Sequence, residues 1–178
     1  MKPIFRVALV MALAFGMSAI GASPGGAAPL GSCAHLTATA SFNPGLTNTP
    51  KNNTITAKGT LTSCTPAPST GGSGTLTSTI KVSLGSCGKL SAGGQKLTGT
   101  GATTWKNKKV SKYSLSFTTG KGASITVATI TGKVSSGLFV GHKVSGQVKF
   151  TLLGAPDCSA KKPIKNITVK NTKPFVIS

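Results

Sequence analysis

From residue 36 onward, apolar side chains recur at every second position, and each such run is bounded by Gly, Pro, Asn or Ser. Leu36, Ala38, Ala40 and Phe42 alternate with Thr37, Thr39 and Ser41. Ile55, Ala57, Gly59 and Leu61 alternate with Thr56, Lys58 and Thr60. The same pattern returns in Leu76–Leu84 and in Val144–Leu152. A period of two puts successive side chains on opposite faces, so each run predicts a strand with one buried and one wet face. Weaker runs predict strands over 95–106, 111–119, 123–134 and 164–170, with Phe175-Val176-Ile177 as a possible added edge. Ile125 and Val127 have the opposite parity to Ile130 and Val134, which predicts a bulge near Ala128. No convincing helical period follows the leader. About eight short strands predict an all-β fold, an antiparallel β-sandwich or flattened barrel.

The first two strands permit a sharper inference. If partner numbers sum to 97, Leu36 faces Leu61, Ala40 faces Ala57 and Phe42 faces Ile55. A slip by one residue would turn each apolar face to the wrong side. That register sets Cys33 opposite Cys64, both with outward parity. It therefore predicts a Cys33–Cys64 disulfide, and Cys87–Cys158 by elimination, although four cysteines allow three pairings. The cysteines have no C-x-x-C spacing and no neighbouring His pair, so metal binding is not expected.

The N-terminus changes the picture of location. Lys2 and Arg6 precede an apolar run from Val7 to Ala22 and the small residues Gly25, Gly26, Ala27 and Ala28. This is the layout of a secretory signal peptide over 1–28, leaving one domain over 29–178. Export fits an even number of cysteines and predicts a secreted or cell-envelope protein. No later stretch is apolar enough to span a membrane, so the mature chain is expected to lack a transmembrane segment.

Charge narrows the chemistry. Beyond the leader the chain has 18 Lys, no Arg and a single acidic side chain, Asp157, so 18 minus 1 gives +17. Paired carboxylates, and with them glycosidase-type acid–base catalysis and carboxylate metal cages, are excluded. A Ser-His-Asp site would have to combine Asp157 with His35 or His142. Neither histidine has a supporting context, and no catalytic residue is assigned. Three S-x-x-K sequences begin at Ser78, Ser86 and Ser159. Such a dyad needs a helix start, which the pattern does not predict. The absence of Arg argues against sequence-specific nucleic-acid readout, which favours its bidentate fork. No cofactor is expected.

One patch stands out as a binding candidate. Trp105, Lys106, Lys108, Lys109, Lys112 and Tyr113 place four lysines between the only Trp and the only Tyr, on an expected hairpin tip. Exposed rings there would stack on sugars or bases while the lysines hold an anion. The competing reading buries both rings, since Tyr113 shares parity with Leu115 and Phe117.

The segment from Cys33 to Thr47, followed by the Cys64 segment, the Gly99-x-Gly101…Trp105 stretch and Ser136-Gly137-Leu138-Phe139-Val140-Gly141, resembles a group of small secreted actinobacterial β-rich proteins. The resemblance implies export and a β fold. It carries over no activity and no functional residue. The Lys-rich turn at 106–109 departs from the short Asp/Gly-type turn of that group. Taken together, the sequence predicts a monomeric, non-enzymatic binding or structural module drawn to an anionic cell-wall polymer or lipid surface. The alternative is a secreted effector or inhibitor acting on a protein partner through its loops.

Overall fold

The computed structural model describes residues 29–120, 127–153 and 158–178. The expected signal peptide, the first residues of the strand expected over 123–134, Ile125 among them, and Asp157 lie outside these residues. The order of elements is β1 (Gly31–Leu46), β2 (Lys51–Thr65), α1 (Ala67–Thr70), β3 (Ser73–Gly85), α2 (Cys87–Ala92), β4 (Lys96–Trp105), β5 (Val110–Thr119), β6 (Val127–Gly137), β7 (Lys143–Leu152) and β8 (Ile164–Ile177). Each strand pairs antiparallel with the next, and β8 pairs with β1, so the sheet closes on itself as an eight-stranded barrel. The two-sheet sandwich is thus replaced by one continuous wall. Alternation cannot tell these layouts apart, because both bury one face of every strand.

The expected β1–β2 register is present, with Leu36 opposite Leu61, Ala40 opposite Ala57 and Phe42 opposite Ile55. Phe175–Ile177 extends β8 and pairs with both β1 and β7. Both predicted disulfides form, Cys33–Cys64 and Cys87–Cys158. One detail differs from expectation. Cys33 and Cys64 are buried inside the barrel, not turned outward. Both strands change parity between the leucine pair and the cysteine pair, with Ala34 and His35 exposed on β1, and Thr62 and Ser63 exposed on β2. Ser63 has a φ of 52°, a left-handed conformation that rotates the next side chain inward.

The same irregularity interrupts pairing between β1 and β8, whose register shifts between Cys33 and Thr37. Asn171 fills the gap. Its Oδ1 accepts a hydrogen bond from the Leu36 amide at 2.9 Å, and its Nδ2 donates to the Ala34 carbonyl at 2.7 Å. The bulge expected near Ala128 is absent, because the β5–β6 ladder runs unbroken from Ala128 to Val134. The shift comes at Ser135 instead.

Large side chains fill one end of the barrel. Leu61, Trp105, Tyr113, Val134, Val144 and Ile177 pack there, each almost fully buried. Trp105 meets the ring of Phe139 edge-on, and Tyr113 meets Phe175 edge-on. Farther along, the inward positions become small. Ala40, Ala57, Ser78 and Gly101 stand side by side across β1, β2, β3 and β4. Glycine also lets the wall curve. A Cβ on Gly132 would run into the Ser114 carbonyl oxygen of the neighbouring strand, whereas one on Gly146 would meet nothing nearer than 3.5 Å.

This contrast gives a test of the wall. Gly132→Ala should lower the unfolding free energy by about 1–3 kcal/mol, the usual cost of forcing extra atoms into a packed site. Gly146→Ala should change it by well under that. Urea denaturation of the oxidised protein, followed by Trp105 fluorescence, measures both.

Candidate functional site

Against Ala40, Ala57 and Ser78 of this row lies a cavity of about 670 Å³, running from Leu36, Leu115 and Phe175 toward the loop end of the barrel. Its wall comes from every strand, including Ala38 and Phe42 of β1, Ile80 of β3, Phe117 of β5, Ile130 of β6 and Val169 of β8. The polar residues among its lining are Ser78, Thr119, Lys149 and Thr151, the last two exposed. Thr119 already accepts a hydrogen bond from the Gln95 amide at 3.0 Å. The volume is that of a small-molecule pocket, and so is the apolar lining with few polar groups. An apolar space of this kind attracts apolar matter more readily than water, which needs two or more polar partners to settle.

The loop end is organised by the second disulfide. Cys87 begins α2, between β3 and β4, and Cys158 lies between β7 and β8. Those connections stand on opposite sides of an eight-strand ring, so the bridge crosses the mouth with its Cα atoms 6.3 Å apart. The β1–β2 turn joins them. The Cys87 amide donates to the Thr47 carbonyl at 2.9 Å, and the Asn48 amide donates to the Cys158 carbonyl at 2.7 Å. Leu46 and Leu90 bring apolar side chains to the cavity at this end.

Ser86 has a place that the sequence pattern did not predict. It caps α2, and its hydroxyl accepts from the Lys89 amide at 3.2 Å. The S-x-x-K at Ser86 therefore does begin a helix. The hydroxyl is engaged in capping, which accounts for the serine without any nucleophilic role.

The aromatic–lysine patch comes apart in the fold. Trp105 and Tyr113 are both 1% exposed and point into the closed end, while Lys106, Lys108, Lys109 and Lys112 face outward. The Trp105 indole N–H donates to Ser111 Oγ at 2.9 Å, and that hydroxyl donates to the Leu138 carbonyl at 2.7 Å. The rings are thus structural and cannot stack on a ligand. His35 and His142 are exposed. Among the described residues no group of His, Cys, Asp or Glu could hold a metal ion, and no helix is long and apolar enough to cross a membrane.

No family model matches the chain, and no curated protein or solved structure matches it either.

Burial pushes the Tyr113 phenol above its ordinary pKa of 10.0, and the neighbouring Thr103 and Ser111 hydroxyls offset only part of that. Below about pH 10 the phenol is protonated in both folded and unfolded chains and has no effect on stability. Above it the unfolded chain releases the proton first, so stability falls as pH rises. Because Tyr113 is the only tyrosine, phenolate absorbance at alkaline pH reports it alone. The native protein should ionise at higher pH than the same chain in denaturant, and Tyr113→Phe should remove this component of alkaline destabilisation.

Proposed function

We propose that the protein is a non-enzymatic carrier that encloses a small, largely apolar molecule in its barrel. The observation carrying this reading is the hollow of about 670 Å³ lined in part by Ala38, Ala40, Ala57 and Ser78, in a barrel whose other end is tightly filled. Eight strands enclose a space that side chains can fill completely or that one small ligand can occupy. This chain does both, one at each end. Disulfides at both ends support work in an oxidising compartment outside the cytoplasm, in keeping with the leader-like first residues.

The test is a neutral apolar fluorophore, N-phenyl-1-naphthylamine, titrated against the oxidised protein. Saturable binding with enhanced emission is expected. Ala40→Phe places a ring in the hollow and should weaken binding at least about tenfold while leaving the unfolding midpoint at or above that of the parent. No saturable binding by the parent protein, or full binding by Ala40→Phe, would overturn the reading.

A second reading, attraction to an anionic surface polymer, draws on one observation. Lys133 faces Lys143 across β6 and β7, and Lys149 faces Lys170 across β7 and β8. Like charges set directly opposite each other repel, and a polyanion would relieve that. Retention on an anionic polysaccharide resin should fall steeply with salt. Changing these four lysines to Gln should release the protein at markedly lower salt, whereas changing Lys106, Lys108, Lys109 and Lys112 should matter less.

A further inference from the structure

The cavity has a side seam with its own chemistry. The β3–β4 ladder ends at the pair Lys81 and Thr98, yet β3 continues to Gly85 and β4 already begins at Lys96. The two strands are unpaired over this stretch, and the α2 segment spans the gap. A depression of about 250 Å³ lies there, lined by Lys81, Lys89 and Lys96 together with Ser83, Gln95 and Thr98. Leu90 and Leu97 form part of its wall and also line the large cavity, so the two spaces share a partition of two half-buried leucines. Three lysines, from β3, α2 and β4, thus line a depression that this leucine pair separates from the apolar interior. The Ser86 cap fixes the first turn of α2 that carries Lys89.

We infer that the ligand is a single-chain anionic amphiphile, its tail in the barrel and its carboxylate or phosphate head at the β3–β4 seam against Lys81, Lys89 and Lys96. This rests on the carrier reading and adds the head-group chemistry. Among the described residues the cavity's lining is almost wholly apolar and its one cationic member, Lys149, is exposed, so the charged end belongs outside the apolar wall, where water and lysine both reach it. From the level of Lys96 to that of Tyr113 the β5 wall runs five residue steps, from Thr118 to Tyr113. At strand rise and ordinary barrel tilt that is roughly 13 Å of depth, room for a medium-length chain rather than a long one.

The experiment compares dodecanoate, dodecyl phosphate and dodecanol as displacers of N-phenyl-1-naphthylamine, at low salt and at a pH where the carboxylate is ionised. The parent protein should bind the two anions at least about tenfold more tightly than the alcohol. The triple variant Lys81→Gln, Lys89→Gln, Lys96→Gln should lose that preference while binding dodecanol as before, with Trp105 fluorescence confirming its fold. Equal affinity for alcohol and anions, or a preference that survives in the triple variant, overturns the head-group inference and leaves the carrier reading standing. Failure of all three to displace the fluorophore overturns the inference too. Failure of the fluorophore itself to bind removes the carrier reading, and the inference with it. A preference for dodecyl phosphate over dodecanoate assigns the head as phosphate, and the reverse order assigns it as carboxylate.

Discussion

A ladder of hydrogen bonds that runs through eight strands and returns to its start has no free edge. That closure is the constraint on which the rest of this protein depends. It pairs most backbone groups of the wall within one sheet, without a second sheet. It also encloses an interior whose contents are set by the inward side chains alone. Around Leu61, Trp105, Tyr113 and Ile177 the barrel is solid, and where Ala38, Ala40, Ala57 and Ser78 join the larger apolar side chains of the lining it is hollow. Beside the first disulfide both β1 and β2 turn their side chains to the other face. Asn171 repairs the broken ladder there by offering an amide in place of a missing backbone partner.

Much of this was legible in the sequence, because burial of one face imposes a period of two that leucine, valine and isoleucine record clearly. The pairing of β1 with β2 follows from matching Phe42 to Ile55 and Leu36 to Leu61, and the disulfides follow from that register. The facing of Cys33 and Cys64 was not legible, since nothing in a serine announces the left-handed conformation of Ser63. Nor could alternation separate a sandwich from a barrel. The hydrogen bonds between β8 and β1 make that difference, and they leave no mark on parity.

The site was hidden for a more instructive reason. Ala40, Ala57, Ser78 and Gly101 look like weak strand positions when each run is read by itself. Only when the registers of neighbouring strands are aligned do they fall into one row and describe a space. The usable signal was a shortage of volume at matching heights on consecutive strands. The aromatic residues misled in the opposite sense. Trp105 and Tyr113 flank a lysine-rich turn in sequence, but the strand period carries both rings to the inside and the lysines to the outside. The lysines gathered at the seam, Lys81, Lys89 and Lys96, come from three separate elements and share no sequence motif.

The pairing of the first strand with the last has a consequence for how the molecule comes into being. Gly31 meets Ile177, so the wall cannot be completed until β8 has been made. Until then β1 and the newest strand each offer an unpaired edge, the kind of surface that captures other extended chains. Contacts so distant along the chain also form slowly. The interval before closure is therefore the period of greatest exposure, and the dense positive charge, which keeps like chains apart, is of most use to the protein then.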